Sequence, residues 1–154
     1  DLEMSAWRTN FKANLDAVFI TTKTVLPWMI KAKTGAIVNI ASVVGLKGVA
    51  YMSAYGAAKA GLINFTRATA IEAAPHVRVN SIIPGAVMTP ATERAIPDEK
   101  LMEATVNSIP LKRIAEPAEL AKPIAFLLSS DASFITGASL VVDGGKTADL
   151  NAGN

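Results

Sequence analysis

Tyr55 and Lys59 stand at positions i and i+4, with Ser42 upstream at the end of an apolar run. On a helix that spacing puts a phenol and an ammonium on one face, one turn apart. An ammonium beside a phenol favours the phenolate and lowers the phenol pKa from its free value of about 10. Such a tyrosine can give and take a proton near neutral pH. The Ser42 hydroxyl can both donate and accept, so it can follow a carbonyl oxygen on its way to an alkoxide. A lone Tyr-x-x-x-Lys is also what a packing tyrosine and a solvated lysine would give, so the flanking segments have to decide.

Those segments alternate between helical and strand patterning. Residues 5–33 read as one long helix, with Ser5 as N-cap and Pro27 bending or breaking it late. Ala36–Ala41 reads as a short buried strand ending at Ser42, and residues 43–51 as a loop. A second long helix over about 52–74 carries Tyr55 and Lys59. Its small residues Ala57, Ala58, Ala60 and Gly61 would admit a close neighbour. A strand at 77–83 stops at Pro84-Gly85, a short helix is expected at 98–107, and Pro117 opens a helix over 117–129 that Pro123 could kink. A last strand at 139–143 ends in Gly144-Gly145, a turn signal, and the polar tail from Lys146 to Asn154 is expected to fray. This order predicts an α/β fold, a partial doubly wound parallel sheet of Rossmann-like type, with Ser42 and Pro84-Gly85 on the carboxyl edge where such sheets bind ligands.

Hydrophobic residues make up 51% of the 154 and charged residues 18%, which suits a heavily buried chain and not a disordered one. The net charge of +2 comes with scattered lysines and arginines, so no nucleic-acid partner is expected. No apolar run is long enough for a membrane span, so no membrane partner is expected either. The absence of cysteine, with the single histidine His76, excludes disulfides and argues against a metal site. It also fits a reducing, cytoplasmic setting.

Five blocks in order resemble the short-chain dehydrogenase/reductase family in its compact subgroup. They are Asn14 within Ala-Asn-Leu-Asp-Ala-Val-Phe, Gly35 to Ser42, Tyr55-Gly-Ala-Ala-Lys59, Arg78 through Pro84-Gly85 to Thr89, and Ile135 to Gly145. The family's Gly-rich turn and its Asn-Asn-Ala-Gly strand end do not occur in this sequence. The resemblance therefore implies that residues 1–154 are the C-terminal part of a single Rossmann-type domain whose N-terminal cofactor-binding half is absent.

The resemblance implies an NAD(P)-dependent oxidoreductase, with NAD or NADP as cofactor and a small carbonyl or alcohol as substrate. Tyr55 would be the general acid/base. Lys59 would lower the tyrosine pKa and bond the nicotinamide ribose, Ser42 would bond the substrate carbonyl, and Asn14 would distort its helix and hold a water that relays protons to the lysine. Pro84, Gly85, the main chain of Val87 and the Thr89 hydroxyl would lie against the nicotinamide. Val44 and Met52 would line the substrate site. Asn39 and Asn80 would serve structural hydrogen bonding. Assembly is expected as a homodimer or homotetramer through the helices at 5–33 and 52–74. Ala41 replaces a serine common in relatives, and Ala74-Pro-His-Val-Arg78 is one residue short, predicting a tight junction. Two other readings use the same residues: an epimerase or dehydratase built on the Tyr-Lys pair, and a non-catalytic oligomerising fragment.

Overall fold

Three parallel strands stack in the order β1-β2-β3 in the computed structural model, which describes residues 2–149. They are β1 Ala36–Ile40, β2 Arg78–Pro84 and β3 Ser139–Val142. The helices are α1 Met4–Phe11, α2 Ala17–Ala32, α3 Ser53–Ala73, α4 Pro90–Ala95, α5 Glu99–Asn107 and α6 Pro117–Leu128. Pairing β1 with β2 in parallel requires a crossover, and α3 supplies it.

The central strand explains why the sheet is apolar on both sides. Val79 packs with Ala70 and Ala73 of α3 and with Leu26, Met29 and Ile30 of α2. Ile83 packs with Ile63 of α3. Ile82, on the opposite face, packs with Leu120 and Leu127 of α6. Successive strand residues face opposite ways, so each face receives its own helices. Val79, Ile82 and Ile83 are fully buried, and each such side chain stabilises the fold by roughly 1.5–3 kcal/mol. Arg78 adds a lock at the amino end of β2. Its guanidinium donates to the carbonyls of Leu127 at 2.8 Å and Ser129 at 2.9 Å, where α6 ends and carbonyls lack helical partners.

Several expectations are corrected. The first long helix is α1 and α2 joined by a π-helical segment, Lys12–Asp16, with Asn14 at its centre. Ser5 lies inside α1, and the N-cap residue is Glu3, which makes no side-chain cap. Pro27 stays within α2 and Pro123 within α6, neither ending its helix. The loop after β1 holds a short 3-10 turn, Val43–Gly45. Thr89 caps α4, an unpredicted helix that opens with Pro90, and Asp98 caps α5. The junction before β2 is tight as expected, and Ala74–Pro75 is cis.

The tail is not frayed through Asp149. Asp143 accepts from the N–H groups of Gly145 and Thr147 and from the Thr147 hydroxyl at 2.7 Å, folding Lys146–Asp149 into a turn. Residues 150–154 of the expected frayed tail lie outside the described residues. The small residues on α3 also work differently than expected. Ala58 is fully buried inside the chain, and Gly61 faces Leu15, whose Cδ2 would stand 3.1 Å from a Cβ there. Only Ala57 and Ala60 of that group face outward.

Candidate active site

The carboxyl edge of the sheet gathers the chemistry. Ser42 follows β1 and starts the 3-10 turn, its hydroxyl oxygen accepting from the Val44 N–H at 3.3 Å. That turn lies directly on the first turns of α3. A Cβ on Gly45 would stand 2.9 Å from the Ala60 nitrogen and the Lys59 carbonyl carbon, and a Cβ on Gly56 would stand 3.0 Å from the Val44 oxygen. Two glycines thus let backbone touch backbone where the Ser42 loop crosses the Tyr55–Lys59 helix.

Tyr55 and Lys59 are half-buried and share a face, the Lys59 ammonium lying 5.7 Å from the centre of the Tyr55 ring. The same ammonium donates to the Ile40 carbonyl at 2.8 Å, at the end of β1. Burial pushes the Lys59 pKa below its ordinary value, because a desolvated ammonium is disfavoured. The Ile40 carbonyl was missed in the sequence, since a main-chain acceptor leaves no residue-type signal.

Asn14 sits on the π-helical segment, which packs against α3. Its side-chain amide donates to the Asn10 carbonyl at 3.1 Å, along its own helix. The helix is therefore distorted where the resemblance places the distortion.

The segment after β2 is built by its own contacts. Gly85 is required by the residue that follows β3, because a Cβ there would stand 2.9 Å from the Asp143 Cα. That is a structural reason for the glycine independent of any ligand. Val87 bridges to Ala115, with Met88 N–H donating to the Ala115 carbonyl and Ala115 N–H to the Ala86 carbonyl. The Val87 carbonyl accepts from the Thr92 hydroxyl at 2.7 Å. Its N–H makes no protein hydrogen bond among the described residues. Thr89 caps α4, its hydroxyl oxygen accepting from the Thr92 N–H at 3.2 Å. Val44 is half-buried over Gly56, and Met52 is exposed at the start of α3.

Asn39 and Asn80 have structural roles. Asn39 donates to the Thr66 hydroxyl at 2.9 Å, tying β1 to α3. Asn80 donates to the Ile135 carbonyl and accepts from the Ala138 N–H, each at 2.9 Å, fixing the approach to β3.

A family profile described as enoyl-(acyl carrier protein) reductase matches residues 1–147. The chain is 39% identical over 150 residues to a cyclopentanol dehydrogenase of Comamonas sp. (strain NCIMB 9872), covering 97% of this chain and 60% of that protein. It is 43% identical over 140 residues to the 3-oxoacyl-[acyl-carrier-protein] reductase FabG of Thermotoga maritima, covering 90% of this chain and 56% of that protein. Among solved structures it superposes on ElxO with NADP bound with a TM-score of 0.90 and 29% identity, over 97% of this chain and 61% of the other. The chain thus spans about three fifths of the length of the relatives it matches.

Proposed function

The chain belongs to the short-chain dehydrogenase/reductase family, and we propose from that premise that the protein it forms is an NAD(P)-dependent oxidoreductase acting on a carbonyl/alcohol pair. The observation that carries the reading is the Ser42 turn packed on the helix that bears Tyr55 and Lys59 side by side. Two dissimilar activities among its relatives, a cyclic alcohol dehydrogenase and a 3-oxoacyl reductase, share that carbonyl/alcohol chemistry.

The nicotinamide, when bound, supplies or receives the hydride. In the reducing direction Tyr55 gives its phenolic proton to the carbonyl oxygen, and Ser42 donates a hydrogen bond to that oxygen as charge develops. Lys59 stabilises the phenolate left behind. An ammonium has three donors, so beyond the Ile40 carbonyl it keeps two for the ribose hydroxyls. Asn14 holds the water that returns a proton towards Lys59. The free Val87 N–H suits the carboxamide oxygen, with Pro84 and Gly85 setting that segment's course. The Thr89 hydroxyl caps α4 and keeps a second lone pair for the carboxamide, while the Thr92 hydroxyl holds the Val87 carbonyl. Val44 and Met52 form the apolar wall for the substrate.

Strand β1 has β2 on one side only, and a groove between β1 and α2 is lined by Val18, Val25, Ile37 and Ile40. That open apolar edge suits a further strand from a cofactor-binding N-terminal half. We propose a cytoplasmic homodimer or homotetramer paired through the long helices. No helix among the described residues is long and apolar enough to cross a membrane.

The test is cofactor titration plus carbonyl-dependent oxidation of NADH and NADPH by the full-length protein. Micromolar binding with turnover supports the reading. Cofactor binding with no turnover across cyclic, acyl and sugar carbonyls overturns it.

A further inference from the structure

Thr92 of α4 ties together two residues of the segment after β2. Its hydroxyl donates to the Val87 carbonyl at 2.7 Å and lies 3.1 Å from the Thr89 hydroxyl. Its N–H donates to the Thr89 hydroxyl oxygen at 3.2 Å. Ala91 and Glu93 on either side are exposed, whereas Thr92 is half-buried.

These contacts fix where the hydrogens point. A hydroxyl carries one hydrogen, and a carbonyl can only accept. The Thr92 hydrogen therefore goes to Val87, and in the contact between the two hydroxyls Thr89 is the donor. Thr89 then has its hydrogen engaged and one lone pair filled by the Thr92 N–H, which leaves one lone pair. Val87 holds the complementary group, an N–H with no protein partner among the described residues. The segment thus presents a donor at Val87 and an acceptor at Thr89, both set by one side chain. A primary amide matches that pair, because its oxygen accepts and its NH2 donates. A ketone of the same shape has no donor and leaves the Thr89 lone pair unmatched.

We propose that Thr92 is a positioning residue for the nicotinamide carboxamide. By accepting the Thr89 hydrogen and giving its own to Val87, it makes Thr89 an acceptor for the amide NH2 and holds the Val87 N–H for the amide oxygen. This role rests on the oxidoreductase reading, which supplies the nicotinamide.

The test is calorimetric binding of three probes to the full-length protein. They are the oxidised dinucleotide it prefers, the 3-acetylpyridine analogue of that dinucleotide, and ADP-ribose, 2′-phosphorylated if NADP is preferred. The analogue carries a methyl ketone in place of the amide, and ADP-ribose lacks the ring. Wild type should bind the natural dinucleotide roughly three- to tenfold more tightly than the analogue, as one net hydrogen bond implies. In Thr92→Val the preference should shrink to about twofold or less while ADP-ribose binds as before. Thr92→Ser keeps the hydroxyl and should keep the preference. Thr92→Ala, with a better helix former, should behave as the valine variant and covers the case in which that variant folds poorly. A wild type without the preference, or a preference that survives in the valine and alanine variants, would overturn the proposal. So would a serine variant that loses the preference, or ADP-ribose binding weakened as much as dinucleotide binding, which would mark a merely structural role. Wild type that binds no dinucleotide would overturn the oxidoreductase reading along with the proposal, whereas the other failures leave that reading standing.

Discussion

The Lys59 ammonium donates to the Ile40 carbonyl at 2.8 Å, so the side chain flanking the Tyr55 ring also pins α3 to the end of β1. Lys59→Met keeps length and removes charge. In the full-length protein it should lower kcat/KM by about 10²-fold or more and weaken NAD(P)H binding. Burial lowers the Lys59 pKa in the fold from 10.5, so between the lowered value and 10.5 the unfolded chain holds the extra proton. Stability contributed by this group therefore rises with pH through that window. Chemical denaturation across alkaline pH should show the rise in wild type and a flatter profile in Lys59→Met.

Gly45 is the contact that seats Ser42. A methyl group there would meet the backbone of Lys59 and Ala60 at 2.9 Å. Gly45→Ala should cost about 1–3 kcal/mol of stability through overpacking. It should also reduce kcat, because the Ser42 turn must lift from α3. Equal melting temperatures and equal kcat for the two proteins would contradict this.

Glu119 pairs with Arg113 through two hydrogen bonds, one of 2.7 Å, and also accepts from the Glu116 N–H. Those hydrogen bonds, the Arg113 bond foremost, bring its pKa from 4.5 down to about 2. A depressed carboxylate pKa contributes stability that is present above 4.5 and lost as pH falls towards about 2. The pair is exposed, so the contribution is small and screened by salt. Glu119→Gln should flatten the acid limb of the melting-temperature profile between those values and leave the neutral region nearly level with it.

Ile71 is 80% exposed on α3, and Trp28 is 72% exposed on α2. Large apolar side chains on the outer faces of the two long helices suit pairing between copies. Ile71→Asp should shift the full-length protein to a smaller species in light scattering after size exclusion. A wild-type protein that is monomeric at micromolar concentration would remove the proposed assembly.

The candidate site was legible where chemistry and position coincide in one side chain. Tyr55, Lys59 and Ser42 were singled out by type and spacing together with the blocks around them, and the structure puts Ser42's turn against the helix of the other two. The family resemblance placed a helix distortion at Asn14, and the π-helical segment forms around it. What stayed hidden is what backbone does. Gly85 was expected against the nicotinamide, and the chain itself adds a second reason for a glycine, since a Cβ there would meet Asp143. Ala58 and Gly61 looked like an interface, yet they admit neighbours within the chain. The turn at Lys146–Asp149 depends on Asp143 meeting Thr147, a side-chain cap that polarity alone does not reveal.

The central claim is that Tyr55 is the proton donor. Its most direct test is Tyr55→Phe in the full-length protein, measured for single-turnover NAD(P)H oxidation and for cofactor affinity together. A proton supplied only during chemistry predicts a loss in kcat of about 10²–10⁴-fold. NAD(P)H affinity should stay within a few-fold of wild type. A Tyr55→Phe protein that folds, binds cofactor and turns over at the wild-type rate would contradict the account.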